Sequence, residues 1–422
     1  MTETKTSVID SKPASRFGSF RWIICALLLL GTTKNYMDRQ ILGVLKDTLQ
    51  HALGWNEIDY SNLVFAFQAA YAIGLLLVGR FIDRVGTRLG YAAAMIFWSF
   101  ASIGHAFAHS LTDFIAARFA LGLGESAVFP ASIKSVAEWF PAEERALATG
   151  IFNAGTNIGA ILTPLTIPWI TIRWGWRAGF VFTGSLGFAW VLLWLLLYRK
   201  PGTPQAQARV KWMGLLSHRQ TWAFVAGKFM TDPIWWFYLF WIPDFLQRKH
   251  SLKLTQIVVP IVVIYLISDV GSVAGGWFSF VLIQRGKTVN AARKIAMLVC
   301  AVCVLPIIYA YRASGLWTAV LLIGLAAAAH QGFSCNLFTL SSDMFPSSAV
   351  GSVVGIGGMA GAIGGMLIAK IVGYVLQWTE SYMIPFFIAG VAYLIALGLI
   401  QLLAPSLAPA SLSQEQSLRS EI

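Results

Sequence analysis

GRFIDRVGTR, residues Gly79 to Arg88, is a charged stretch set between two long apolar runs, 60–82 and 88–109. Either run is long enough to cross a hydrocarbon layer about 30 Å thick as a helix rising about 1.5 Å per residue. Three arginines and an aspartate are costly in lipid, so they mark a turn at a membrane surface, with antiparallel helices on either side. The same pattern extends in both directions. Apolar runs fall near 20–45, 60–82, 88–109, 111–138, 146–171, 177–198, 220–246, 255–283, 293–312, 315–342, 350–376 and 382–404, twelve in all. The chain of 422 residues is 57% hydrophobic and 12% charged, against about 25% charged in an ordinary soluble domain. No strand pattern interrupts the runs. The expected fold class is an all-α membrane protein with 12 transmembrane helices. Residues 1–19 are polar, and no cleavable signal peptide is read there.

The net charge of +12 raises the question of nucleic acid, but its placement answers it. With the N-terminus in the cytoplasm, that side holds about eighteen Lys and Arg and the other about seven. This excess places both termini inside and accounts for the charge without a nucleic-acid partner. The longest hydrophilic break between runs, 199–219, divides the chain. The expected organisation is a cytoplasmic tail (1–19), a six-helix bundle (20–198), a cytoplasmic linker (199–219), a second six-helix bundle (220–404) and a cytoplasmic tail (405–422). The halves repeat one another. Glu138-Trp139-Phe140-Pro141 is followed by Gly150, and Asp343-Met344-Phe345-Pro346, 205 residues on, is followed at the same spacing by Gly355. Paired halves around a midplane site are a recurrent plan of transporters. No glycine-rich phosphate loop is present to drive an ATP pump. The cysteines Cys25, Cys300, Cys303 and Cys335 lie in apolar runs and read as small hydrophobes. No metal and no cofactor are expected.

Charges inside the runs carry the functional reading. Each costs roughly 2.5–3.5 kcal/mol at mid-bilayer depth on insertion scales. Lys34, Asp38 and Arg39 lie in the first run, and Arg118 and Glu125 in the fourth. Seven residues are almost two helical turns, so Arg118 and Glu125 project from one face about 10 Å apart. A buried carboxylate near a guanidinium can alternate between protonated and paired forms, as proton coupling requires. Asp38 and Arg39 are adjacent and point about 100° apart. Asp38 is then a second proton carrier, and Arg39 is suited to grip a carboxylate in bidentate fashion. Structural ion pairs between helices are the plainer alternative for all four.

Gly79, Asp83, Arg84, Gly86 and Arg88 resemble the GxxxDRxGRR loop of the major facilitator superfamily, with Thr87 replacing one arginine. The resemblance implies a conformational latch in which Asp83 accepts hydrogen bonds from a helix start or pairs with a basic residue. NYMDR in the first run and RFALGLGE in the fourth resemble the anion:cation symporter family. That likeness implies a major facilitator fold of two six-helix halves, proton coupling at Asp38 and Glu125, anion binding at Arg39 and Arg118, and cavity tyrosines at Tyr36 and Tyr71. ESAVFPASIKSVAEWFP (125–141), KFMTDPIWWFYLFW (228–241), HQGFSCNLFTLSSDMFP (330–346) and the glycine run GSVVGIGGMAGAIGG (351–365) are most similar to the bacterial hexuronate transporters.

Weaker candidates follow. Asn153, Thr156 and Asn157 in the fifth run, and Gln331, Ser334 and Asn336 in the tenth, are suited to sugar hydroxyls, with helix–helix hydrogen bonding as the competing reading. Trp235 and Trp236 are weighed as cavity-wall residues against packing or an aromatic belt, which is preferred, and Asp232, Asp269 and His330 as members of a relay against satisfied structural groups, again the preferred reading. Lys134, Lys228 and Lys370 read as lysines snorkelling near helix ends, and Lys34 has no assigned partner. Gly155 and Gly159 form a GxxxG motif read as close helix packing. The second glycine lacks the following proline of drug antiporters, which argues against export. The expected function is import of a sugar acid with protons, by a monomer in the bacterial inner membrane whose partners are the organic anion, protons and lipid. Another organic anion is the alternative substrate class, and a polytopic membrane enzyme or receptor the alternative class of protein.

Overall fold

Each of the twelve apolar runs is helical in the computed structural model, which describes residues 18–55, 57–199, 212–252, 258–379 and 381–410. Most of the expected linker and tails (1–17, 200–211 and 411–422) lies outside the described residues, as does the Lys370 side chain. The first half contains α1 (Phe20–Val44), α2 (Lys46–Leu53), α3 (Glu57–Val85), α4 (Thr87–Gly104), α5 (Leu111–Glu125), α6 (Val128–Trp139), α7 (Ala142–Trp174) and α8 (Trp176–Leu197). The second contains α9 (Arg219–His250), α10 (Val258–Gln284), α11 (Val289–Val304, extended by a 3-10 helix Leu305–Arg312), α12 (Leu316–Met344), α13 (Ser347–Thr379) and α14 (Met383–Leu403). Among the described residues, eight spans are long and apolar enough to cross a membrane by length and composition. Of the four others, α1, α7 and α9 carry polar side chains that face the centre of the bundle, and α4 is only 18 residues long with Arg88 in its first turn. Large apolar side chains such as Ile172, Leu165 and Phe107 cover the outside, where lipid replaces water.

Fourteen α-helices among the described residues exceed the twelve runs for two reasons. Helix α2 is far too short to span. The fourth run is one span broken between α5 and α6. At the break the Ser126 hydroxyl donates to the Leu123 carbonyl, 2.6 Å, and Ala127 N–H bonds back only three residues to Gly124. Pro130 has no N–H to offer the Ser126 carbonyl. Back-bonding serine, a tightened turn and a helical proline each loosen the ladder locally. Turns between spans are short where glycine permits: Gly86 (φ 90°), Gly175 (φ 81°) and Gly286 (φ 87°) adopt left-handed φ. A capping box of Ser110 and Asp113 opens α5, each side chain taking the other's backbone N–H.

The two halves meet along two seams, α3 against α13 and α7 against α10. Glycines set the approach. A Cβ at Gly79 would overlap the Gly351 backbone, one at Gly355 the Leu75 carbonyl, and one at Gly150 the Ser272 carbonyl. Gly150 and Gly355 are the two glycines of the repeat, and they occupy the corresponding crossing in each seam.

Asp83 lies where α3 crosses the first turns of α13. Its carboxylate accepts from Ser352 N–H (2.7 Å), the Ser352 hydroxyl (2.6 Å) and Gly351 N–H (3.2 Å), and pairs with Lys134 Nζ at 2.9 Å. Lys134 is therefore buried in this crossing and not snorkelling. Arg88 donates to the Leu195 carbonyl within its own half, and Arg84 is exposed. At the same end, Arg145 Nη1 donates across the seam to the Ser342 carbonyl (2.5 Å), and Arg293 binds both Asp343 (3.1 Å) and the Ala142 carbonyl (2.5 Å). Replacing Asp83 by Asn removes the charge from its bonds to α13 and to Lys134, each worth about 1.5–3 kcal/mol when charge-assisted. The expected outcome is separation of α3 from α13, read as a roughly tenfold or greater rise in labelling of a cysteine placed at Leu75, which is buried on α3 against Gly358 of α13. Unchanged labelling would mean that Asp83 does not hold the two helices together.

Candidate functional site

Above the seams a cavity lies between the halves. Tyr36, Arg39, Tyr71, Asn153 and Thr156 face it from α1, α3 and α7, and Lys228, Asp232, Trp235, His330 and Gln331 from α9 and α12. Its floor is an aromatic contact between the halves, Phe129 stacked on Phe338 with ring centres 5.2 Å apart. Asn153 Nδ2 donates to Gln331 Oε1 at 2.5 Å beside it.

Arg39 is the centre of the first wall. Its guanidinium lies over the rings of Tyr71 (4.4 Å), Tyr36 (5.1 Å) and Phe67 (5.3 Å), whose faces attract a cation. From behind the wall Glu125 Oε2 accepts from Arg39 Nε at 2.8 Å. The Arg39 side chain keeps 12% of its surface exposed and Glu125 none. Arg39 Nη2 and Glu125 Oε1 are buried without a hydrogen-bond partner. A donor on the cation and a lone pair on the carboxylate are thus both unspent.

One turn earlier on α1, Lys34 Nζ pairs with Asp38 Oδ2 at 2.6 Å, both side chains buried. The Ser102 hydroxyl donates to Asp38 Oδ1 (3.0 Å), and Lys34 also reaches Ser99 (3.3 Å). Arg118 Nη1 donates to the Asp38 backbone carbonyl at 3.5 Å. Arg118 and Glu125 share α5, as expected, but Glu125 takes Arg39 as its ion partner. The pairing runs between α1 and α5, with Arg118 bracing the backbone at Asp38. Lys34, which had no assigned partner, is the counter-ion of Asp38. Lys34 and Asp38 are spaced i, i+4, the separation that stacks side chains on one helix face, and that spacing is legible in the sequence.

The structure brings Arg39, Tyr36, Tyr71, Thr156 and Gln331 together on the cavity wall. Thr156 Oγ1 there has no hydrogen-bond partner. Three other candidates lie off it. Arg118 is behind α1. Asn157 spends its amide across the second seam on Asp269 (2.8 Å). Asn336 spends its own on the Gly275 and Gly332 carbonyls (3.0 and 2.9 Å). A polar residue in a span serves a seam as readily as a cavity, and its type does not tell which. The reverse correction applies to α9. Lys228 does not snorkel: it is buried on the wall, paired with Asp232 at 2.8 Å and 3.9 Å from the Phe338 ring centre. Trp235 and Trp236 wall the cavity instead of forming a belt. Trp235 stacks on His330, whose Nδ1 lies 2.6 Å from the Tyr393 hydroxyl.

A chamber between two pseudo-repeated bundles, with buried ion pairs beside it, is an arrangement that recurs in membrane transporters. Comparison with known proteins agrees. The profile of the Major Facilitator Superfamily matches residues 28–369. The hexuronate transporter of Escherichia coli K12 is 31% identical over 376 residues, covering 84% of this chain and 87% of that protein. The galacturonate transporter of Dickeya chrysanthemi is 32% identical over 300 residues, 66% of this chain and 87% of that one. A probable galactarate/D-glucarate transporter of Bacillus subtilis is 27% identical over 404 residues, covering 88% of this chain and 89% of the relative. Among solved structures, the proton:xylose symporter XylE superposes with a TM-score of 0.73 at 16% identity, over 95% of this chain and 99% of that one. The chain therefore belongs to the major facilitator superfamily, a transporter and not an enzyme, related in sequence to bacterial sugar-acid carriers.

Proposed function

We propose that this chain is a proton-coupled symporter that imports a hexuronate, glucuronate or galacturonate, across the bacterial inner membrane, acting as a monomer with both termini in the cytoplasm. The observation that carries the reading is Arg39, a cavity-wall cation held from behind by the buried carboxylate of Glu125, 2.8 Å away. Neither partner of a buried ion pair can be neutralised alone without leaving the other uncompensated. A proton on Glu125 therefore releases the guanidinium, and the substrate carboxylate takes the place of the Glu125 carboxylate in a bidentate pair. Proton and anion favour each other's binding through Arg39, a coupling that is reciprocal by linkage. The Tyr36 and Tyr71 hydroxyls, Thr156 Oγ1 and the Gln331 amide are the groups on the wall suited to sugar hydroxyls. Asp38, paired with Lys34 behind the wall, is the second proton site. Arg118 holds α1 in register through the Asp38 carbonyl. Latch closure at Asp83 then corresponds to a state shut on the cytoplasmic side.

Purified protein in proteoliposomes tests this. Labelled glucuronate and galacturonate should accumulate under an imposed inward proton gradient, and a protonophore should abolish the accumulation. Equal accumulation with and without the gradient would rule out symport. A second reading, carriage of another organic anion such as an aldonate or aldarate, draws on Lys228, a second cation on the opposite wall. Competition by those acids against labelled glucuronate separates the two readings.

A further inference from the structure

Two cations face the cavity among its described wall residues, Arg39 from the first half and Lys228 from the second. They differ in the reach of their counter-ions. Glu125 lies behind the wall on another helix and is fully buried. Asp232 is itself on the wall, one turn along α9 from Lys228, and keeps 19% of its side-chain surface exposed. An i, i+4 pair on one helix lies within one half, so rocking of the halves does not pull it apart.

The glycine run of α13 secures that pair. Gly357, Gly361 and Gly365 recur every four residues and form one bare stripe. A Cβ at Gly357 would overlap the Phe224 ring and crowd the Lys228 chain; at Gly361 it would overlap the Asp232 carboxylate, and at Gly365 the Trp236 indole. The stripe is the groove in which α9 lies, and it fixes Asp232 close to Lys228.

The geometry points to Asp232 as a specificity-determining residue: by neutralising Lys228 within the cavity, it limits the site to substrates with one carboxylate. This rests on the sugar-acid reading above. Once Glu125 is protonated, Arg39 is the cation available to an anion. A sugar acid with a single carboxylate satisfies it and turns hydroxyls toward the second half. The second carboxylate of an aldarate meets Lys228 already occupied and Asp232 of its own sign. Such juxtaposition discriminates between partners by repulsion as much as by attraction.

The test is competition against labelled glucuronate uptake in proteoliposomes of the full chain, with unlabelled galacturonate and unlabelled galactarate. In the wild type, galactarate should compete at least ~10-fold more weakly than galacturonate, the scale of one charge-assisted hydrogen bond lost. Asp232→Asn frees Lys228 and should narrow that gap by about tenfold. The double variant Asp232→Asn/Lys228→Gln should restore it, because the freed cation is gone. Asp232→Ser serves if the asparagine variant does not fold. A gap unchanged in Asp232→Asn, or one that stays narrow in the double variant, overturns the assignment. Failure of the wild type to take up either hexuronate would instead overturn the substrate reading, so the two failures are distinct.

Discussion

Arg39→Ala will bring uptake of the sugar acid to background, a loss of at least ~100-fold. Two effects combine. The substrate loses the planar guanidinium that matches its carboxylate, an interaction worth about 1.5–3 kcal/mol or more when charge-assisted. Glu125, with no exposed surface, also loses its counter-ion, and a buried charge left alone costs about 3–5 kcal/mol. The second effect predicts a less stable protein as well as an inactive one, and the two are separable. Arg39→Ala/Glu125→Gln should recover the melting temperature in detergent while uptake stays at background. Arg39→Lys keeps the charge but not the fork, and should retain stability with a rise in KM of about tenfold. If the double variant regains transport together with stability, Arg39 is a structural residue only.

Glu125→Gln has the opposite logic. The amide copies the protonated acid in shape and charge, so Arg39 stays permanently free. Exchange of labelled for unlabelled substrate across the membrane should survive, while accumulation driven by a proton gradient disappears. The pH dependence follows in sign. In the wild type, protonation of Glu125 releases Arg39, so apparent affinity rises as pH falls. One linked proton changes it by up to about tenfold per pH unit. In Glu125→Gln this slope should flatten. A wild-type slope retained in full by the glutamine variant would move proton coupling away from Glu125.

Much of this site is legible in the sequence because charges in apolar runs are expensive and few. Asp38, Arg39, Arg118 and Glu125 stand out on that ground, and the structure gathers them around α1 and α5. What the sequence conceals is the pairing. Arg118 and Glu125 share a helix face, yet Glu125 binds Arg39 from another helix, because partner choice between helices depends on packing angle and not on spacing. The spacing signal is informative in the other two cases. Lys34 with Asp38 and Lys228 with Asp232 are each separated by four residues, which within a helix is contact distance. Reading Lys228 as a helix-end lysine overlooked that partner. The glycine run of α13 is visible from residue 351 onward, but its use as a bed for α9 requires knowing which helix lies against it.

The break at Ser126–Ala127 gives the twelve-residue α6 the form of a lever. Its pivot immediately follows Glu125. Near the pivot it carries Phe129, whose ring closes the chamber against Phe338. Further along it carries Lys134, which grips Asp83 at the crossing of the halves. Glu125 and Lys134 are nine residues apart, a strut of roughly 14 Å at 1.5 Å per residue. Its first turn is the loosened one at Ser126–Ala127, and only the part from Val128 onward is the α6 rod. One short length of chain thus carries the carboxylate behind Arg39, the aromatic floor of the chamber and the cation of the Asp83 pair, with a loosened turn between the first of these and the other two.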